Sequence, residues 1–417
     1  MKNNKNVSTT QLLAGGIIGN MLEWFDFAIY GFFAVIIGKN FFPKEDPVAQ
    51  VIAAFGIFAV GFMMRPLGGI LIGFIGDRYG RQRAMLISVA AMAIPTFLVG
   101  VLPTYAAIGL AAPALLLLLR MVQGLSVGGE YTTSIVYMVE HCNPKHRGLV
   151  GSLACVGSVG GILLGSALGA LLASSMSAES LQVWGWRVPF ICGLVIGLAG
   201  LVLRREGSTP EAVLPKVTYN PLKMALNEHR GVMAQVAGLS MMTAVVFYLI
   251  FVYLVSWLEL VDGISPANSL AINTASMLVL IPVMMIAGAL SDKFNPRLLM
   301  MVAAGLTAVC AWPLFWAMHS DSFLHIMIGQ IGFALLLGVY LGVAPAYMVQ
   351  VIPPNVRCTA AGLSYNVTLG IAGGLTPIFA TWLISRLEDD LSPSYMVIVA
   401  ALISFYSLWT MRDRKLL

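Results

Sequence analysis

Charge is scarce in this chain of 417 residues. Asp, Glu, Lys and Arg make up 10% of it, hydrophobic residues make up 59%, and the mean hydropathy is +0.86. A soluble domain carries about 25% charged residues, so the composition excludes a water-soluble protein. The five cysteines show no paired or metal-like spacing. Nucleotide-binding loops, nucleophile elbows and metalloprotease motifs are also lacking, so neither an enzyme nor a metal or other cofactor is expected.

Long apolar runs fill most of the sequence instead. A helix needs roughly 20 apolar residues to cross a bilayer, and backbone polar groups cannot stay unpaired there. The runs therefore predict an all-α membrane protein with twelve transmembrane helices in two six-helix halves. The predicted spans are 12–38, 51–75, 84–103, 107–138, 149–174, 185–203, 232–258, 267–291, 298–318, 322–350, 358–385 and 393–411. The predicted domains are an N-terminal bundle at 1–203, a cytoplasmic linker at 204–230 and a C-terminal bundle at 231–417.

The cations predict the orientation of these spans. Most of the 24 Lys and Arg residues fall in the two tails and in alternate loops, while Lys39, Lys44, Arg187 and Arg386 fall at the opposite ends. Because cytoplasmic loops carry the excess of Lys and Arg, both termini are expected to be cytoplasmic. The net charge of +5 then reflects membrane topology, and no nucleic-acid partner is expected.

Two pairs of loops indicate an internal repeat. "GFIGDRYGRQR" at 73–83 resembles "GALSDKFNPR" at 288–297, and "YMVEHCNPKHRG" at 137–148 resembles "YMVQVIPPNVRC" at 347–358. Asp77 thus has a counterpart in Asp292, and Arg147 one in Arg357. Two like halves around a central path suit transport by alternating access.

Five ionisable residues interrupt the predicted spans: Glu23, Asp26, Arg65, Arg120 and Glu130. Such groups cost something like 2.5 kcal/mol or more at mid-bilayer, so they face the bundle interior or a cavity and usually serve a pathway. The histidines fall in loops or near span ends, so carboxylates are expected to carry protons. We interpret Asp26, Glu130 and Glu23 as proton-coupling candidates. A packing contact is the alternative for Glu23.

Helical rise indicates partners for these groups. Counted from the inward ends of their spans at about 1.5 Å per residue, Arg65 and Glu130 both lie some 15–18 Å inside, which predicts an Arg65–Glu130 pair. Arg120 lies nearer the level of Asp26. The hypothesis is that protonation of Asp26 or Glu130 frees an arginine, which then grips a substrate carboxylate. The alternative is that the pairs are fixed structural contacts.

The inward loops carry a second group of charges. We interpret them as contacts that close the inward mouth and must break when it opens, which makes them a population switch rather than a binding site. Positive-inside charge alone would explain the arginines but not the first aspartate. The second copy is expected to be weaker, because Gln350 replaces the glutamate and Asn295-Pro296 replaces Gly80-Arg81. The predicted gating residues are Asp77, Arg78, Arg81, Glu140, Arg147 and Asp292.

The second half supplies neutral polar and aromatic groups. Tyr248, Tyr365 and Asn366 are expected to line the substrate site together with Arg65 and Arg120. Two arginines favour an anionic substrate. Aromatic groups could instead bind a quaternary ammonium through cation–π contacts, which leaves a zwitterion as the alternative.

Several motifs carry a family resemblance. "GDRYGRQR" at 76–83 resembles the signature between helices 2 and 3 of the major facilitator superfamily, and "LLRMVQGLSVGGEY" at 118–131 resembles its helix-4 arginine motif. "EWFDF" at 23–27, "RPLGG" at 65–69 and "WGWRVPF" at 184–190 narrow the resemblance to the metabolite:proton symporter family, which includes permeases for alpha-ketoglutarate, citrate, shikimate and proline/betaine.

The resemblance implies import of a small solute by proton symport across the bacterial inner membrane. The favoured substrate is a mono-, di- or tricarboxylate, and the alternative is a zwitterion such as proline or betaine. An uncoupled facilitator and a transporter-like sensor remain further alternatives, since fold resemblance alone does not prove function. The expected partners are this solute, protons and the lipid bilayer, and the expected state is a monomer.

Overall fold

The computed structural model describes residues 9–43, 47–206, 220–264, 266–320 and 322–411. Every regular element within these ranges is helical. We number the long helices α1 to α12 in chain order. Their bounds are α1 Thr9–Phe32, continued by Ala34–Phe41; α2 Pro47–Met63, continued by Arg65–Tyr79; α3 Arg81–Val101; α4 Ala111–His141; α5 Arg147–Ser175; α6 Ala178–Ser180, continued by Leu181–Gly185 and Arg187–Glu206; α7 Arg230–Tyr248, continued by Leu249–Tyr253 and Leu254–Leu260; α8 Pro266–Ser291; α9 Pro296–Met318; α10 Phe323–Val351; α11 Arg357–Thr368, continued by Leu369–Gly373 and Gly374–Leu387; and α12 Pro393–Thr410.

The predicted all-α membrane fold is confirmed. Ten described helices are long and apolar enough to cross a membrane, and the count reaches twelve when each of two bent pairs is taken as one span. The pairs are Leu13–Phe32 with Ala34–Phe41, bent by 69°, and Ala178–Gly185 with Arg187–Leu203, bent by 45°. The predicted spans match these helices within a few residues at most ends.

Three interruptions inside helices mark the positions of predicted site residues. Helix α2 breaks at Met64, just before Arg65 and Pro66; proline lacks the N–H that would bond the carbonyl one turn earlier. Helices α7 and α11 each contain one π-helical turn, Leu249–Tyr253 and Leu369–Gly373. Such turns occur often at functional sites, because they leave backbone groups free for other partners.

By its internal contacts the chain divides into two compact units, Met1–Met138 with Gly157–Leu222, and Val139–Val156 with Lys223–Leu417. The first unit has an aromatic core that includes Phe25, Tyr30, Phe33, Trp186 and Phe190. The segment 139–156, which contains the end of α4 and the start of α5, packs with the second unit. The predicted bundles at 1–203 and 231–417 stay a prediction, and residues 207–219 of the predicted linker lie outside the described residues.

Candidate functional site

The first unit holds two buried ion pairs on α1. In the first, Arg65 Nη2 donates to Glu23 Oε1 at 3.3 Å, and both side chains are 2% exposed. Three aromatic rings surround the guanidinium, with centroids 4.5 Å (Phe62), 4.9 Å (Phe27) and 5.6 Å (Trp24) from its central carbon. Each distance lies within the range of a cation–π contact. This arrangement stabilises a charge that would otherwise be costly to bury.

The second ion pair joins Asp26 to Arg120, as the sequence predicts. Asp26 Oδ1 also accepts hydrogen bonds from Thr96 at 3.0 Å and from Gln123 at 2.9 Å. The Arg120 guanidinium lies 3.9 Å from the ring centroid of Tyr30. Both oxygens of Asp26 are therefore in use. By contrast, Glu23 Oε2 and Arg65 Nε are buried without a hydrogen-bond partner among the described residues.

The predicted Arg65–Glu130 pair is wrong, because Arg65 pairs with Glu23. Glu130 lies on α4 and accepts a hydrogen bond from Ser88 on α3. Similar depth in two helices does not give the direction in which a side chain points. Gly128 packs against the backbone of Arg65, and at 100° per residue Glu130 projects from the far side of α4.

Close backbone contact between α2 and α4 fixes the two arginines. A Cβ atom on Gly128 would lie 2.0 Å from the Arg65 carbonyl oxygen, and one on Gly124 would lie 2.1 Å from that of Gly61. Neither contact can be relieved by turning a side chain, since the neighbour is backbone. Glycine at these positions thus lets the helices approach closely enough to set Arg65 and Arg120 in place.

Replacing Gly128 by Ala is expected to destabilise the protein by about 1–3 kcal/mol, the usual cost of forcing an extra group into a packed interior. Thermal unfolding in detergent would measure it. Gly56→Ala is the matched control, because a Cβ there meets nothing within 4 Å. Equal melting temperatures for the two variants would contradict the backbone contact.

The second unit contains a cluster of neutral polar groups around the π-helical turn of α7. Gln330 Nε2 donates to the Ile250 carbonyl at 3.3 Å and to Asn273 Oδ1 at 2.9 Å. Asn273 Nδ2 in turn donates to the Phe251 carbonyl at 3.1 Å. These amides satisfy carbonyls of the π turn.

The predicted lining residues Tyr248, Tyr365 and Asn366 lie in the same unit and are all buried. Tyr248 ends the first part of α7, and its ring would meet a Cβ on Gly373 at 2.9 Å. The Asn366 side chain donates to the Gly362 carbonyl one turn earlier, at 2.7 Å. The two π turns therefore lie beside the residues that the sequence singles out, although their role in binding stays a prediction.

Among the predicted gating residues, Asp292 makes the best-defined contact. Its two oxygens accept from the backbone N–H groups of Gly148, at 2.6 Å, and Leu149, at 3.0 Å, at the start of α5. An acid placed there satisfies free N–H groups and meets the positive end of the helix dipole. The replaced neighbours Asn295 and Pro296 begin α9 and leave Asp292 itself in place, and a weaker second copy stays a prediction.

Glu140 has a partner that the sequence did not predict. It forms an ion pair with Arg357 at 2.6 Å, and the Arg357 side chain is 1% exposed. Arg357 Nε also donates to the Ile352 carbonyl at 3.0 Å. The repeat offset could have indicated this residue, since Arg357 is the counterpart of Arg147.

The remaining predicted gating residues are Asp77, Arg78, Arg81 and Arg147. Asp77 is buried and forms an ion pair with Arg81 at 3.6 Å, one turn along the chain. Arg78 is exposed and stacks over the rings of Phe74 and Tyr79. Arg147 is the first residue of α5 and is half-buried.

A multi-pass helical fold with paired charges buried inside its spans is the construction of a membrane transporter. Residues 16–377 and 239–415 match the Major Facilitator Superfamily, and the chain belongs to this family. The predicted family is thereby confirmed.

Relatives and solved structures agree with this assignment. The chain is 35% identical over 416 residues to the proline/betaine transporter of Salmonella typhimurium, an alignment that covers 95% of this chain and 82% of that protein. It is 34% identical over 409 residues to the glycine betaine/proline/ectoine/pipecolic acid transporter OusA of Dickeya dadantii, covering 94% and 81%. The proton:xylose symporter XylE has the same fold, with a TM-score of 0.77, 16% identity and coverage of 97% and 95%.

Proposed function

We propose that this protein is a proton-coupled carrier of a small zwitterion such as betaine or proline, acting in the bacterial inner membrane with both termini in the cytoplasm. The observation that carries the proposal is the similarity to proline/betaine transporters at 35% identity across 95% of the chain. It replaces the organic-acid substrate that the sequence alone favours.

The charges of the first unit support the zwitterion. The anionic-substrate prediction requires an arginine that is released when its carboxylate is protonated, and in this structure Arg65 and Arg120 are each paired with a carboxylate. If Glu23, Asp26, Glu130, Arg65 and Arg120 were all ionised, these five groups inside the spans would carry three negative and two positive charges. Such a site offers no excess positive charge to an anion, whereas a zwitterion adds no net charge and can exchange partners with an existing pair.

The proton then needs a carboxylate of its own, and Asp26 fits that role. When Asp26 is ionised, it accepts from Arg120, Thr96 and Gln123. When it is protonated, its O–H needs an acceptor. The Gln123 Oε1 atom is buried without a donor among the described residues, and rotation of the amide brings it to Asp26. The network can thus accommodate both protonation states. Glu130 and Glu23 are the other predicted proton carriers.

The Asp292 and Glu140 contacts provide the switch. Both join the start of α5 or the end of α4 to the second repeat within the second unit. Opening the predicted inward side requires these contacts to break, so they stabilise one state of the transport cycle without touching the substrate.

Reconstituted vesicles test the function directly. The purified protein is placed in liposomes that contain a pH-sensitive dye, and betaine, proline, citrate, alpha-ketoglutarate and shikimate are added outside in turn. Acidification of the interior with betaine or proline, and not with the acids, is expected. Acidification with an acid alone would restore the organic-acid assignment. Entry of substrate without a change in pH would identify a facilitator.

A further inference from the structure

The surroundings of Arg65 form a cation site that is already occupied by the protein's own side chain. The faces of Trp24, Phe27 and Phe62 lie around the guanidinium, and Glu23 supplies the negative charge. Aromatic rings combined with an acid are the chemistry that recognises methylated ammonium groups. We name Trp24, Phe27, Phe62 and Glu23 the cation cage.

In the Arg65–Glu23 pair, each side chain has a hydrogen-bonding atom that is not used by any described residue. A carboxylate can accept from a guanidinium through both oxygens, in a two-pronged contact. Here one 3.3 Å bond joins the two groups, and Glu23 Oε2 and Arg65 Nε have no hydrogen-bond partner among the described residues. The pair therefore has bonding capacity that is unused in this state, whereas both oxygens of Asp26 are engaged.

We propose that the ammonium group of the substrate replaces the Arg65 guanidinium in the cation cage, and that the displaced Arg65 binds the substrate carboxylate. The inference deepens the proposed function and depends on a zwitterionic substrate. One cation takes the place of another in the cage, and one carboxylate takes the place of another at Arg65. No net charge is added to the buried site.

The local backbone suits such an exchange. The Arg65 carbonyl is held against Gly128, so the main chain cannot move far. The helix is interrupted at Met64, directly before Arg65, and Pro66 provides no N–H for the Phe62 carbonyl. The side chain can thus rotate out of the cage while its backbone stays fixed.

The proposal predicts that a cation without a carboxylate is a poor ligand of the wild type. Choline would displace Arg65 from the cage but would leave its guanidinium buried with no anion. A zwitterion supplies both groups at once. The exchange therefore selects for the pair of charges rather than for the ammonium alone.

Arg65→Met tests the exchange, because it removes the resident cation and its hydrogen-bond donors while keeping an unbranched side chain. Binding is measured by calorimetry on the detergent-purified protein. The variant is expected to bind choline chloride at least about tenfold more tightly than the wild type does, a change comparable to one desolvated cation–π contact. It should also lose betaine binding, since the carboxylate partner is gone. Adding Phe62→Leu to Arg65→Met should abolish choline binding.

A second measurement does not depend on the fold of the Arg65 variant. Dimethylglycine and betaine carry the same carboxylate and differ by one N-methyl group, so displacement of Arg65 affects both equally. In the wild type betaine should bind more tightly, and in Phe62→Leu the ratio of the two dissociation constants should fall toward one. Phe58→Leu is the matched control; its ring contacts those of Phe27 and Phe62, at 5.3 and 5.1 Å, from the same cluster. It should keep the wild-type ratio.

The outcomes separate this inference from the proposed function. If vesicles transport betaine but Phe62→Leu keeps the wild-type ratio, the cation cage is wrong and the zwitterion carrier stands. If the wild type neither binds nor transports betaine or proline, the proposed function fails and this inference fails with it. Choline binding by Arg65→Met that survives Phe62→Leu would likewise overturn the assignment of the rings.

Discussion

Replacing Asp26 by Asn is expected to abolish substrate accumulation driven by a pH gradient while preserving exchange of substrate across the membrane. Asn keeps the shape of the side chain but cannot bind and release a proton. Accumulation should fall by ~10-fold or more, where each factor of ten corresponds to about 1.4 kcal/mol of lost coupling. Radiolabelled betaine in vesicles measures both reactions: accumulation with an acid exterior, and exchange with substrate on both sides and no gradient.

The contacts of Asp26 explain why its replacement should abolish accumulation and preserve exchange. Asp26 is fully buried and contacts Arg120, Thr96 and Gln123. None of these four residues belongs to the cation cage. Removing the charge of Asp26 leaves the guanidinium of Arg120 without its anion, and breaking a buried pair in this way costs about 3–5 kcal/mol. The melting temperature must therefore be checked first. Tyr30, 3.9 Å from that guanidinium, still stabilises it through the ring.

Two other variants serve as comparisons for Asp26→Asn. Thr96→Val removes one hydrogen-bond donor and no charge, so it should weaken coupling far less than Asp26→Asn. Glu23→Gln should weaken binding and therefore reduce exchange and accumulation together. If the Asp26→Asn protein still acidifies the vesicle interior as substrate enters, Asp26 is not on the proton path, and Glu130 becomes the leading candidate.

The membrane fold could be predicted almost completely from the sequence. Bilayer thickness sets the length of each apolar run, and unpaired backbone groups exclude other structures within it. The bends were not predictable in the same way. Helix α1 turns by 69° at Phe33 without a proline at that position, and the π turns of α7 and α11 carry no distinctive residue pattern.

The sequence predicts which charged residues form the site, but it predicts only some of their ion-pair partners. The five ionisable residues inside the predicted spans are all buried and were identified because isolated charges in apolar runs are conspicuous, whereas the buried Arg357 lies at the start of α11 and is missed. Asp26–Arg120 was confirmed, while Arg65 was assigned the wrong acid. The rise per residue gives the depth of a residue in the membrane. The direction in which its side chain points around the helix axis depends on which faces of neighbouring helices are in contact. That information lies in the contact of Gly128 with Arg65, which spacing alone does not reveal.

The neutral partners were the hardest part to predict. Gln123 follows Arg120 by three residues and so shares its helical face, and this spacing could have indicated it. Thr96 and Asn273 lie in otherwise ordinary apolar runs, where single polar residues are common. Their roles follow from tertiary contacts: Thr96 bonds Asp26 on another helix, and Asn273 bonds a carbonyl of the α7 π turn.

Reversing the charge at one end of the Glu140–Arg357 pair is expected to slow transport and expose Cys142. Arg357→Glu places two carboxylates where a 2.6 Å ion pair stood, so the contact should become repulsive. The double variant Glu140→Arg with Arg357→Glu restores opposite charges and should recover much of the wild-type behaviour. Recovery should be incomplete, since the bond from Arg357 Nε to the Ile352 carbonyl is also lost.

Cys142 lies two residues after Glu140, so the reactivity of its thiol reports whether the Glu140–Arg357 contact is intact. The residue is 8% exposed, and burial raises the pKa of the thiol above its ordinary value, with a smaller opposing effect from Arg147 and a further raising effect from Asp292. Because the thiolate is the reactive form, maleimide should modify the intact protein slowly at neutral pH. Opening restores hydration and lowers the thiol pKa, so the rate should rise by about tenfold for each pKa unit recovered. The measurement needs Cys155, Cys192, Cys310 and Cys358 replaced by Ala.

Lys145→Gln controls for charge alone, since it removes an exposed cation from the same turn. It should leave both the labelling rate and transport unchanged. Asp292→Asn weakens the separate contact with the start of α5 and also removes a charge that raises the pKa of the Cys142 thiol, so it should accelerate labelling for both reasons. If the single charge reversal leaves Cys142 protected, or if the double variant is no better than the single one, the pair does not stabilise a closed state. The contact at Asp292 alone would then have to account for the switch.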